Sequence, residues 1–274
     1  MTDDSFSIKD IFSIILFVFI VQITSLLLTN NFLELYEYLP SYQPAGNTLS
    51  GSILNSIILI LPTFFITSII LFLLRRKLFL LLKSFLMLAV SIGTFSISYI
   101  ILTVSLNSLF SNIFILIFSL FLCIIPLLSF TLIKSNKFQL LSSYVLSSLY
   151  GTMLAVFIKP PTLIIIPIAF AFYDIYAVFR GPLKSIIDSS DDSIDLRPLF
   201  INLGRFNIGT GDLIFYSMIP SSVFLLIGLP FALLSIFFIH MGMILTIYLL
   251  KHFEMFPGLP IPVFLSLIPY LLFY

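Results

Sequence analysis

Asp174 in AFAFYDIYAVF and Asp212 in NIGTGDLIFYS are the two acidic residues, of twelve, that fall inside long apolar stretches of this 274-residue chain. A carboxylate surrounded by hydrocarbon is costly, and it faces a partner, a bundle interior or a water-filled cavity. Two carboxylates brought close cannot both ionise easily, so such a pair holds one proton between its members. That chemistry suits hydrolysis of an amide. The ionised carboxylate takes a proton from water while the protonated one polarises the scissile carbonyl. The two residues alone leave a structural or ion-coupling pair open, and by themselves favour it over catalysis.

The elements that must position them are membrane helices. Hydrophobic residues make up 60% of the chain and charged ones 9%, with a mean hydropathy of +1.20. Soluble domains carry about a quarter charged residues. No soluble core could bury this much apolar surface, so lipid is the solvent. The expected class is an all-α polytopic membrane protein. Breaks in hydropathy give nine spans, at 10–29, 52–74, 78–105, 112–133, 138–158, 161–179, 207–227, 231–250 and 258–274. The last has 17 residues and is the shortest. The first, Ile11 to Leu28, follows Asp3, Asp4 and Asp10 with a single Lys9 and no small-residue cleavage site. It reads as a permanent helix rather than a signal peptide.

Residues 30–51 and 180–206 form the two sizeable loops, and Gly228-Leu229-Pro230 reads as a tight turn between helices. The chain thus divides into a six-helix part (1–180), a cytoplasmic loop (181–206) and a three-helix part (207–274). With a cytoplasmic N-terminus, twelve of the thirteen Lys and Arg residues lie at the cytoplasmic side and only Lys159 lies outside. This is a strong positive-inside bias, and it places the C-terminus outside. Asp174 then precedes Arg180 by six residues, and Asp212 follows Arg205 by seven. Both sit roughly 9–11 Å from the inner boundary, on consecutive antiparallel helices.

Three short motifs accompany the pair. Tyr173-Asp174 resembles the YD motif of the presenilin and signal peptide peptidase family. Gly209-Thr210-Gly211-Asp212 is similar to its GxGD motif, and LIFYS looks like the usual continuation. Pro257-Gly258-Leu259-Pro260 resembles the family's PALP motif at the start of the final helix. Their order, on spans six, seven and nine, also matches. The departure is Gly258 where the family usually has Ala, and as both are small the packing is expected to survive.

The resemblance implies a presenilin-like fold of about nine transmembrane helices and an intramembrane aspartyl endopeptidase. Asp174 and Asp212 map onto its catalytic pair. Tyr173, Gly209, Thr210, Gly211, Pro257, Gly258, Leu259 and Pro260 are the expected neighbours that shape the site. Gly209 and Gly211 lack side chains, which leaves room for a substrate backbone or for ordinary helix packing. Tyr173 either orients the site through its hydroxyl or is an ordinary interfacial aromatic; the role of Thr210 stays open. Two prolines in Pro257–Pro260 favour an extended stretch or a helix start, and the former could pair with an unwound substrate. The cytoplasmic N-terminus resembles the presenilin orientation, which implies substrates with outside N-termini. Short loops imply a stand-alone enzyme of a prokaryotic cell membrane, archaeal-like, with no obligate partner subunit. Its partners are the lipid bilayer and the transmembrane segments of substrate proteins.

The remaining residues point to no other chemistry. Cys123 is the single cysteine, so it forms no internal disulfide. His240 and His252 have no Cys or acidic partner at ligand spacing, so neither a metal nor a cofactor is expected. No basic cluster beyond Arg75, Arg76 and Lys77 exists, which argues against nucleic acid. Two other readings of the acids remain: a prepilin-type GxGD peptidase, which has fewer spans, and a proton- or cation-coupled transporter or channel. Transporters are commonly built from repeats, and no repeat is visible here.

Overall fold

The structure, a computed structural model, describes residues 8–46, 48–106, 110–131, 135–179, 200–203, 206–250, 252 and 256–273. Six helices come first: α1 (Ile8–Asn30), α2 (Leu49–Arg75), α3 (Phe79–Leu106), α4 (Asn112–Thr131), α5 (Asn136–Phe157) and α6 (Thr162–Phe179). Strands β1 (Phe200–Leu203) and β2 (Phe206–Gly209) follow, then α7 (Thr210–Ile227), α8 (Leu229–Leu249), α9 (Pro260–Ser266) and α10 (Ile268–Phe273). Among the described residues, α1 to α8 are the eight helices long and apolar enough to cross a membrane. The protein is an all-α polytopic membrane protein with one short hairpin. Helix is the physical answer to its composition, because backbone groups in hydrocarbon must bond within their own segment.

Helices α5 and α7 lie innermost: 61% of each spanning window is buried, against 11% for α2. Small and hydroxylated residues let them approach closely, as in many membrane bundles. A Cβ on Gly151 of α5 would strike the Ser217 side chain of α7. Ser217 Oγ donates to the Ser147 carbonyl at 2.8 Å. Ser25 of α1 joins both helices, with its hydroxyl 3.0 Å from Thr152 Oγ1 and 2.8 Å from Ser221 Oγ. These bonds satisfy buried polar groups that lipid could not. Gly151→Val is therefore expected to lower stability by about 1–3 kcal/mol, as overpacking does, read as a lower Tm in detergent.

The outside is apolar, as lipid contact requires. On α4, Ile113 is 72% exposed, and the Phe114 ring stacks at 4.5 Å on Phe110, which lies just before the helix. At one end of the bundle the loop after α1 covers the turn between α5 and α6. Lys159, the one cation expected outside, donates to the Glu37 and Leu39 carbonyls at 3.3 and 3.1 Å. Asn55 of α2 is buried there. It accepts the Ala45 N–H at 2.8 Å and donates to Gly46 O and Thr162 Oγ1. Gly228 adopts φ +96° between α7 and α8, the left-handed region that glycine tolerates best, so the expected tight turn is present.

Three sequence expectations change. The seventh helix starts at Thr210 rather than at 207, because residues 206–209 pair as an antiparallel strand with 200–203, in the register Phe200↔Gly209 to Leu203↔Phe206. The first large loop is shorter, since α2 begins at Leu49. The ninth span is two short helices instead of one continuous helix. Pro269 explains that break: it has no N–H for the Leu265 carbonyl, and its ring clashes with the preceding turn. Residues 260–273 rise only about 21 Å, less than the ~30 Å hydrocarbon core. Of the expected 181–206 loop, residues 181–199 and 204–205 lie outside the described residues. So do Arg180, Lys184, Arg197, Arg205, Lys134 and Lys251 of the charge pattern.

Candidate active site

Asp212 sits in the first turn of α7, where Gly209 is the N-cap with an extended backbone (φ −67°, ψ 134°). Its carboxylate reaches back to the Gly209 backbone, the reciprocal half of a capping box. A Cβ on Gly209 would lie 3.4 Å from Asp212 Oδ2. Gly209 is thus at once the end of β2, the helix cap and a bare surface beside the carboxylate. Gly211 is exposed, with no atom within 4 Å of where a Cβ would be, so this side of the site is open.

Asp174 comes from α6 and meets the stretch before α9. Leu259 N–H donates to Asp174 Oδ2 at 3.1 Å, and Gly258 makes a second backbone contact with the same carboxylate. The reason is legible in the residues. Pro257 and Pro260 carry no N–H, so Gly258 and Leu259 hold the only donors of the four-residue strap. Both are directed to Asp174. From the other side, Asp212 Oδ2 lies 2.8 Å from the place a Gly258 Cβ would occupy. The two carboxylates therefore converge on one dipeptide, Gly258–Leu259. An Ala methyl at 258 would press on the flexible end of the Asp212 side chain, which must shift to admit it.

The strap is anchored on three sides. The Leu259 side chain, 6% exposed, is buried among Ile166, Ala171 and Phe215. Pro260 begins α9, whose first turn packs on α8: a Cβ on Gly242 would lie 2.5 Å from Pro262 Cα. Ser235 Oγ of α8 then donates to the Ser266 carbonyl at 2.8 Å.

Other expected site residues point elsewhere. Tyr173 turns to α2, with its hydroxyl 3.3 Å from Thr67 Oγ1 and its ring edge-on to Phe64 at 4.7 Å. Neighbours in a helix do not share a face, so Tyr173 and Asp174 diverge. Thr210 Oγ1 lies 3.2 Å from Ser143 Oγ of α5, a packing contact within the bundle. Pro257 is buried, so its ring is not offered to an incoming chain. Tyr216 is the residue that sequence reasoning missed. It stands four residues after Asp212, on the same helical face, and its hydroxyl donates to the Gly258 carbonyl at 2.8 Å. That spacing was the available signal. Among the described residues no three His, Cys, Asp or Glu side chains gather to hold a metal ion.

No protein-family model matches the sequence, and no curated protein matches it. Solved structures do. The chain is similar to a structure described as a presenilin family intramembrane aspartate protease in space group C222. The TM-score is 0.67 and the identity 16%, over 96% of this chain and 97% of that one. A second structure of the same description, in space group P2, matches with a TM-score of 0.61 and 17% identity, over 95% of each chain. The likeness is one of fold, and it extends over nearly the whole length of both chains.

Proposed function

We propose that this chain is an intramembrane aspartyl endopeptidase that cuts peptide bonds within or beside transmembrane helices, with Asp174 and Asp212 as its dyad. The observation that carries the reading is the convergence of both carboxylates on Gly258–Leu259. One ionised carboxylate takes a proton from water as that water attacks the scissile carbonyl. The other, protonated, donates to the carbonyl oxygen. The tetrahedral intermediate collapses when a carboxyl proton passes to the leaving nitrogen. No cofactor is needed.

A helical substrate must unwind first, because its own hydrogen bonds shield the bond to be cut. The freed groups then need partners. The Leu259 N–H and the Gly258 C=O are already bonded within the site, which weakens the idea that the strap pairs with substrate. The hairpin is the better candidate, since β2 runs directly into α7 two residues before Asp212 and a sheet edge recruits an extended chain through main-chain bonds. The enzyme acts alone in a prokaryotic cell membrane, on substrates with outside N-termini, as the charge pattern and short loops support.

The reading is tested by incubating purified protein with a transmembrane peptide labelled at both ends. Two complementary fragments, cut within or next to the apolar segment, are expected. A panel of such peptides left intact, with acid-dependent ion flux in vesicles instead, would favour a transporter. Gly258→Ala is expected to lower turnover by about tenfold or more, with little change in Tm, because the new methyl displaces Asp212. Unchanged turnover would show that the site tolerates that displacement.

A further inference from the structure

We infer that Tyr216 is a positioning residue of this site, acting on Asp174 through the Gly258–Leu259 peptide group. The inference rests on the dyad reading above. The carbonyl of that peptide unit accepts the Tyr216 hydroxyl at 2.8 Å, and its N–H donates to Asp174 Oδ2 at 3.1 Å. A single planar amide is therefore clamped between a phenol on α7 and a carboxylate on α6. Peptide planarity makes the two bonds interdependent: rotating the unit to improve one disturbs the other. Accepting a hydrogen bond at the oxygen also polarises the amide and makes its N–H a better donor.

Tyr216 is itself firmly held. It is 3% exposed and packs with Leu213, Ile239 and Met243. Its backbone carbonyl accepts Gln22 Nε2 from α1 at 3.0 Å, and Gln22 is fully buried. Packing accounts for the ring, and Phe would fill the same space. Packing does not account for the hydroxyl, whose partner is an amide that also bonds a carboxylate of the dyad. Asp212 and Tyr216 share a helical face, so α7 supplies one carboxylate directly and steadies the other through the strap.

Tyr216→Phe tests this in the full chain, with wild type, Asp174→Asn and Asp212→Asn assayed alongside on the same labelled peptide. The variant keeps the ring, so its Tm is expected to stay within a few degrees. The expected result is a fall in kcat of about tenfold, the scale of one lost hydrogen bond, with KM changed less than about twofold. Hydrogen exchange of the Gly258 and Leu259 amides is also expected to accelerate, and this readout needs no catalysis. Wild-type kcat and unchanged exchange in Tyr216→Phe would overturn the positioning role while leaving the dyad standing. Cleavage that persists in either Asn variant would instead overturn the dyad. If no peptide is cut, the exchange rates decide whether the hydroxyl holds the strap: faster exchange supports the clamp and unchanged exchange overturns it.

Discussion

Asp174→Asn and Asp212→Asn are each expected to abolish hydrolysis, with kcat lower by about 10³–10⁴-fold or more, while the protein stays folded. Asn keeps the shape of Asp and an acceptor oxygen. At position 174 it can still accept the Leu259 N–H, so the strap keeps its anchor. What Asn cannot do is carry the shared proton or take one from water. On the proposed reading the two carboxylates act as a unit, so the double variant is expected to be no worse than either single one. A product profile across the four proteins, with Tm measured on each, checks this. Losses that multiply in the double variant would mean that the two residues act independently.

Gly242→Val is expected to give the largest effect of any change away from the carboxylates. The approach at Gly242 is backbone to backbone, with Pro262 Cα at 2.5 Å, Pro262 N at 2.8 Å and the Ile261 carbonyl carbon at 3.1 Å from a would-be Cβ. No flexible side chain is there to yield. The first turn of α9 must move off α8, and the strap that precedes it moves as well. Overpacking of this kind costs about 1–3 kcal/mol. Displacement of Leu259 adds misplacement of Asp174, so turnover is expected to fall by about a hundredfold or more, because catalytic geometry tolerates little error. Gly211→Ala is the contrasting control. Open space surrounds that position, and Tm is expected to be unchanged.

The carboxylate pair was legible because charge inside an apolar run is rare enough to stand out, and because helix rise converts spacing from Arg180 and Arg205 into depth. The strap was legible from its likeness to the PALP motif, while its two prolines alone left an extended stretch and a helix start both open. Its chemistry was not: that the prolines leave only two N–H donors follows from sequence, but their common target at Asp174 is a tertiary fact. The hairpin was read as loop and helix start. Four-residue strands are too short for a period of two to outweigh the apolar run that follows, although Leu203↔Phe206 pairing leaves only Gly204 and Arg205 between the strands, a two-residue connection that the sequence could have signalled. Tyr173 enters through the YD resemblance, yet the residue next to Asp174 in a helix lies on a different face. Tyr216, one turn beyond Asp212, lies within the LIFYS continuation, and only the tertiary contact with Gly258 sets it apart from the other aromatic residues. Eight spans were readable from hydropathy. The ninth apolar run was readable too, but not its division at Pro269 into two short helices.

On the proposed reading, Asp174 and Asp212 face one reacting carbonyl across the Gly258–Leu259 strap. The most direct measurement compares the binding of a substrate peptide with that of its analogue, in which a hydroxyl-bearing tetrahedral carbon replaces the scissile carbonyl. Such an analogue mimics the transition state and binds at least about a hundredfold more tightly than the parent when the site is built for that geometry. Wild type is expected to show this preference and Asp174→Asn and Asp212→Asn both to lose it, while all three bind the parent peptide alike. An analogue that wild type binds no better than the parent, or that either variant still prefers, would contradict it.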